Sequence, residues 1–407
     1  MRVTGIVSEF NPFHNGHKYL VERARANGAT HIVTVMGGDF LQRGNCAVLG
    51  KYRRAEAAVA GGVDLVLELP AVFACASAER FARGAVSTLR ACGCVDEICC
   101  GSENMPPMQS MLRAAELLKS ADLSEYLKKG FSYPRAVSAV FEKSGDEQAA
   151  GILRYPNDVL AFEYFREGMD DFDFLRIRRT APHDGDISEE DRDANCAYHD
   201  FSGADEKYIS ASAIRKMIAS GGDWRAYVPE TTARIIDSAV REGLCPAGYE
   251  NNERGVVSVL RRMTSDELRA LPDVSEGLEN RLYRAAHEND TLGSIIAAVK
   301  CKRYTHARIC RIIACAYIGI TAVAAQSEPE YIRVLAFGRR GTEILKQMKS
   351  TAKLPVLMTA RDFARLPPSA RRMLDTDLRA ADLFGLCTPA VQPCGEDYYR
   401  GAVNLDA

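Results

Sequence analysis

No apolar run in this 407-residue chain reaches the roughly 18 residues a membrane helix needs before charge or glycine breaks it, so no membrane span is expected. Neither sign of charge is in excess. Lys and Arg number 52, Asp and Glu 54, and the net charge of −2 leaves any nucleic-acid contact to local patches. Repeats and low-complexity tracts are missing too. No secretion leader is expected, since Met1-Arg2-Val3-Thr4-Gly5 runs straight into an apolar stretch. The 13 cysteines are odd in number and scattered, as free thiols in a reducing cytosol would be, and a cytoplasmic location is expected. Their densest group, Cys92, Cys94, Cys99 and Cys100, lacks the paired Cys-x-x-Cys spacing of a zinc site, which favours small core residues over metal ligands. No metal-ligating set is assigned.

What is present is an alternation of apolar strands and amphipathic helices. Val3–Val7, His31–Met36, Asp64–Leu69, Val95–Cys100 and Phe172–Arg178 read as strands, with helices between them, one from about Ser77 to Arg90. The pattern predicts an α/β fold, a Rossmann-like doubly wound parallel sheet binding ligands at the carboxyl ends of its strands. Helical segments fill 107–143, and Pro156-Asn157-Asp158 caps another helix to about Gly168. An acidic loop, 182–206, precedes a serine-capped helix start at Ile209–Arg215. The expected organisation is a nucleotide-binding domain over 1–225, with a helical insertion at about 105–150, and a mainly helical region over 226–407. That region ends in a small α/β element around Arg333–Phe337 and Pro355–Met358.

The loop after the first strand carries the strongest chemical signal. Ser8-Glu9-Phe10-Asn11-Pro12-Phe13-His14-Asn15-Gly16-His17 joins a buried strand to a helix and puts two imidazoles three residues apart on the first turn. Free N–H groups and the positive end of the helix dipole favour an anion there. Gly16 allows close backbone approach, and the set suits a nucleoside triphosphate.

The run Asn11-Pro12-Phe13-His14-Asn15-Gly16-His17 resembles the HxGH signature of the nucleotidylyltransferase superfamily. Further segments narrow the likeness: Gly38-Asp39-Phe40-Leu41-Gln42-Arg43-Gly44, Asp64–Pro70, Gly101-Ser102-Glu103, Phe131–Pro134, Pro156-Asn157, Gly277–Arg281 and Lys302-Arg303-Tyr304-Thr305. Together they resemble the bacterial tRNA(Met) cytidine acetate ligase family, from residue 1 to about residue 360. The resemblance implies that ATP and acetate form acetyladenylate, and that the wobble cytidine of elongator tRNA(Met) then takes the acetyl group on its exocyclic amine. It implies His14 and His17 as catalytic groups on the phosphates. ATP contacts are implied along Val7, Phe10, Asn11, Pro12, Phe13, His14, Gly16, His17, Lys18 and Leu20, and at Gly101, Asn157, Arg178, Arg179, Ser210 and Ser212. Mg²⁺ is expected from the phosphate chemistry alone.

From the residues themselves, Gly101 also reads as a turn glycine, Asn157 and Ser210 as helix caps, and Arg178 or Arg179 as a phosphate clamp. Asp39, Gln42, Arg43 and Lys51 follow the second strand and read either as solvated loop charges or as groups orienting acetate or the base, Asp39 being a candidate base for the amine proton. The segment 300–311 holds Lys300, Lys302, Arg303, Arg308 and Arg311 without an acid. Placed on a helix, its basic face with an exposed Tyr304 suits an RNA backbone and a stacked base. Arg339 and Arg340 belong to a looser second patch. Two other functions fit parts of the chain: a nucleotidylyltransferase acting on a small phosphorylated metabolite, and a non-catalytic RNA-binding protein.

Overall fold

The computed structural model describes residues 1–129, 131, 133–145, 147–178, 208–301 and 303–406. Its centre is one sheet of eight strands: β1 (Val3–Ser8), β2 (His31–Gly37), β3 (Leu65–Leu69), β4 (Glu97–Ser102), β5 (Asp173–Arg178), β6 (Ile332–Phe337), β7 (Val356–Leu357) and β8 (Val403–Asn404). The order is β5-β4-β1-β2-β3-β6-β7, with β8 also on β6. β1 to β5 are all parallel. The chain winds outward from β1 through β2 to β3, then returns to place β4 on the other side of β1. That reversal opens a crevice at the carboxyl ends of β1 and β4, where open α/β sheets bind ligands.

Successive strand residues feed opposite faces. Ile6, Ile32, Met36 and Val66 pack with Val21, Ala24, Ala55 and Ala58 of helices Asn15–Ala26 and Lys51–Ala60. Val7, Val33, Val35, Leu65 and Ile98 pack on the other face with Phe81, Ala85 and Leu89 of helix Ala78–Cys92. Burial on both faces explains the nearly continuous apolar strands. The four clustered cysteines are buried in these layers. Burial pushes the Cys94 thiol up to about 11.

Helices Met108–Ser120, Tyr133–Ser144 and Glu147–Ile152 build a small core of their own against Phe162 and Phe165 of helix Pro156–Gly168. Beyond residue 226 the chain is helical to Ile318. Its strands then add to the N-terminal sheet rather than forming an element apart. β6 runs antiparallel to β3 and places Arg333 opposite Glu68, while β7 and β8 lie along the far side of β6. Among the described residues no helix is long and apolar enough to cross a membrane.

Candidate nucleotide site at the carboxyl edge

β1 ends in a turn where Phe10 takes a left-handed conformation (φ 45°) and is fully buried. A bulky residue is uncommon there, and the surrounding loop holds it. His14 is the N-cap of helix Asn15–Ala26 and His17 its third residue. His14 Nδ1 accepts the Gly16 N–H at 3.0 Å, and the His14 N–H donates to His17 Nδ1 at 3.3 Å. The imidazoles thus form a reciprocal capping box. With both Nδ1 atoms accepting, each neutral ring carries its proton on Nε2, as a donor. The rings stack at 3.9 Å and 28°. Phe10 meets His17 edge-on at 4.9 Å.

The rest of the loop is fastened from several sides. Asn11 Oδ1 accepts the Val48 N–H (2.8 Å), and the Asn11 carbonyl accepts Arg215 Nη1 (2.8 Å). Asn15 Nδ2 donates to the Ala226 carbonyl at 3.2 Å. Arg215 belongs to helix Ala211–Ser220, whose N-cap Ser210 is buried and accepts the Ala213 N–H at 3.0 Å. Ser212 stands half-buried in the same first turn, and Lys18 and Leu20 are half-buried on the helix of the imidazoles. Pro12 is buried in the loop, and Val7, Phe10 and Phe13 give their side chains to the core. A nucleotide would therefore meet those three through their backbone.

The end of β4 is stitched to helix Pro156–Gly168. Asp158 accepts from Ser102 Oγ (2.5 Å) and from the N–H groups of Glu103 and Asn104 (2.9 and 3.0 Å). Glu103 accepts Asn157 Nδ2 and the Asp158 N–H. Gly101 and Asn157 thus lie on the two elements these bonds join, and Arg178 at the exposed end of β5 pairs in register with Ser102. Asp158 and Glu103 escape the sequence reading as site-builders. The acidic residue after Pro156-Asn157 was the available signal. Arg179 and Lys302 lie outside the described residues, as does the acidic loop.

The loop after β2 corrects two expectations. Asp39 and Lys51 are not solvated loop charges: both are buried, and Lys51 sits in an ionic cluster. Lys51 Nζ binds Glu68 Oε1 (2.8 Å) and Asp397 Oδ2 (2.7 Å), with Arg333 Nη1 at 2.9 Å from the same Asp397 oxygen and 3.2 Å from Glu68. Burial opposes the Lys51 charge, but Asp397 and Glu68 outweigh it and hold the ammonium ionised. Asp397 is likewise opposed by burial, yet Lys51 and Arg333 bring it down to about 2. Burial pushes Asp39 up to about 7 against the pull of Lys51 and Arg54. Gln42 is half-buried, its side chain donating to the Ala76 carbonyl at 3.2 Å, and Arg43 is half-buried beside it. Gly44 (φ 78°) touches the backbone of Cys310 and Arg311, where an added Cβ would lie 2.2 Å from the Cys310 carbonyl carbon. The β2 loop thus rests directly on helix His306–Ile318.

The expected basic face is altered as well. The helix begins at His306, so Arg303 precedes it and does not share a face with Arg311. Tyr304 is buried, not exposed, and its hydroxyl donates to the Glu276 carbonyl (3.1 Å). Arg303 pairs with Glu276 and Arg311 with Asp273, while Arg308 donates to the Asp273 carbonyl (2.8 Å). Lys300 is exposed. Arg339 and Arg340 open helix Arg339–Thr351 at the far, amino-terminal edge of the parallel strands: the next residue, Gly341, presses on the Asp64 carbonyl, and Glu343 meets His31 (3.2 Å). The two basic patches therefore stand at opposite edges of the sheet.

A switch-point crevice, a helix N-terminus carrying two imidazole donors and a closely approached loop define a nucleotide-binding α/β protein of the HxGH type. The model of the HIGH Nucleotidyl Transferase family matches residues 1–397. A protein of Alkaliphilus metalliredigens named tRNA(Met) cytidine acetate ligase is 33% identical over 414 residues, covering 95% of this chain and 94% of its own. One of that name from Syntrophomonas wolfei is 34% identical over 428 residues, covering 99% of each. The crystal structure of Thermotoga maritima TmcAL bound with alpha-thio ATP superposes with a TM-score of 0.88 at 31% identity, covering all of both chains. The chain belongs to the tRNA(Met) cytidine acetate ligase family of the HIGH nucleotidyl transferases.

Proposed function

We propose that this protein is an ATP-dependent ligase that activates acetate as acetyladenylate, releasing pyrophosphate, and acetylates N4 of the wobble cytidine of elongator tRNA(Met). The imidazole capping box at the switch point is the observation that carries this reading. It is supported by full-length likeness to proteins named for the reaction and to a structure holding an ATP analogue.

A carboxylate is a poor acyl donor, and joining it to the α-phosphate turns one of its oxygens into a good leaving group. As acetate attacks, charge builds on the phosphate oxygens, and the Nε2–H groups of His14 and His17 would donate to it. The helix N-terminus adds its own N–H groups. Arg178, Asn157, Gly101, Ser210 and Ser212 would line the rest of the nucleotide. Among the described residues no group of three His, Cys, Asp or Glu side chains is arranged to hold a metal ion, so magnesium would arrive with the triphosphate. Holding the weakly nucleophilic amine against the activated carbonyl can lower the barrier by about 7–11 kcal/mol. Residues 1–225 would bind ATP. The region 226–407 would bind RNA through Lys300 and Arg303, beside the β2 loop of the ATP-binding region. We place this chemistry in the cytoplasm, where tRNA and ATP meet.

Incubating the protein with ATP, labelled acetate and a tRNA pool tests the reading. Label in elongator tRNA(Met) is the expected result, and His17→Ala should slow acetate-dependent ATP–pyrophosphate exchange about 100- to 1,000-fold. Nucleotide transfer to a small metabolite with no labelled RNA would overturn it.

A further inference from the structure

One carboxylate at the carboxyl edge is left over when the hydrogen bonds of its neighbours are assigned. Asp39 gives Oδ1 to the Lys51 N–H (2.7 Å) and lies beside the Lys51 ammonium. Both oxygens of Glu103 are taken by Asn157 and the Asp158 N–H, and both of Asp158 by Ser102, Glu103 and Asn104. Glu68 is paired with Lys51 and Arg333. His14 and His17 accept backbone N–H groups at Nδ1 and are donors at Nε2. Glu9 differs. It is half-buried, its Oε1 accepts the Gln42 N–H at 2.7 Å, and among the described residues its carboxylate makes no ion pair.

Glu9 is also held in place by its backbone. The fully buried Arg54 donates to the Glu9 carbonyl (2.6 Å) and to the carbonyls of Gly37, Gly38 and Leu49. One guanidinium so ties the loop after β1 to the loop after β2, and the Glu9 carboxylate bridges the same two loops. The next residue, Phe10, lays its ring against His17. An acid without an ion pair among the described residues, near the buried Arg54, is thus fixed one residue from the group that packs on the phosphate-binding imidazole, and on the side where the β2 loop meets the basic helix.

We infer that Glu9 receives the exocyclic amine of the target cytosine and takes its proton during acyl transfer, an inference that rests on the ligase reading above. A carboxylate is the side chain suited to accept a hydrogen bond from cytosine N4. As N4 attacks the carbonyl carbon of acetyladenylate, the C–N bond forms and the nitrogen becomes acidic. One N–H proton passes to the free oxygen of Glu9. The carbonyl-to-phosphate C–O bond breaks, AMP leaves with the electron pair, and Glu9 returns the proton to solvent.

The test separates the two half-reactions in the full-length protein. Glu9→Gln keeps an oxygen for the Gln42 N–H but cannot take a proton. Its acetate-dependent ATP–pyrophosphate exchange should stay within about threefold of the parent, while single-turnover acetyl transfer to tRNA falls about 100- to 10,000-fold and acetyladenylate accumulates. Glu9→Asp, which keeps a shorter carboxylate, should recover part of the transfer rate, and its melting temperature checks the fold. Transfer within threefold of the parent in Glu9→Gln overturns the inference, as does equal loss of exchange and transfer. A parent protein that neither exchanges with acetate nor labels tRNA defeats the ligase reading itself.

Discussion

Replacing Lys51 by Met separates the structural role of this residue from the substrate-orienting one its sequence position suggests. Methionine fills the volume of the lysine stem, so the change removes mainly the charge. What remains is Glu68 and Asp397, 4% and 2% exposed, with Arg333 as the one cation still in ion-pair contact with them among the described residues. Removing one partner of a buried ion pair costs about 3–5 kcal/mol. Because Arg333 stays within 3.2 Å of both acids, the lower end applies, and the folded-to-unfolded ratio should fall roughly 100-fold. At about 2 °C per kcal/mol for a chain this large, the melting temperature should drop about 6 °C. Circular dichroism melts and urea titrations read the loss, with pyrophosphate exchange measured well below the transition. Adding Glu68→Gln should restore part of it by removing an orphaned carboxylate. A melting temperature moved by less than about 1 °C, together with a tenfold or greater loss of exchange, would refute the reasoning and return Lys51 to the substrate.

Stability should respond to pH through the same cluster. Asp39, at about 7 in the fold against about 3.9 unfolded, adds stability that is full below about pH 4 and lost as pH rises towards 7, so melting temperature should fall from about pH 5 to about pH 8, and Asp39→Asn should flatten that fall. Asp377, raised to about 7 chiefly by burial, acts in the same direction, whereas Asp397, held near 2, withdraws its contribution only in strong acid. Tyr304→Ala should cost about 3–5 kcal/mol in urea titrations, with tRNA affinity preserved while the protein is folded, because the ring is core. Lys300→Ala and Arg303→Ala should each lower the salt slope of tRNA binding by about 1 in a filter-binding assay. The pair Arg339→Ala and Arg340→Ala, at the opposite edge, should leave that slope unchanged.

The parts legible in the sequence are those that neighbours along the chain decide. His14 and His17 stand three apart because that is the N-cap to third-residue spacing, and proline at the first position marks the start of helix Pro156–Gly168. The remainder depends on distant partners. β6 pairs with β3 across more than half the chain, and nothing in either strand encodes the other. Lys51 follows a glycine-rich loop, as a binding lysine would, and only Asp397, 346 residues on, reveals it as buried. Tyr304 fails for another reason. A basic, acid-free run says nothing about which side is covered, and the helix starts two residues after the tyrosine.

The seat of Asp397 has a consequence for synthesis on the ribosome. Lys51 and Glu68 emerge early, with their sheet, but Arg333 follows more than 260 residues later and Asp397 later still. Until then the nascent chain holds an unfinished ionic lattice and the open edge of β3, so the lattice behind the β2 loop closes only after residue 397 has been added. Chains stalled through an appended linker long enough to bring residue 397 out of the exit tunnel should therefore gain ligand affinity abruptly over chains stalled before it.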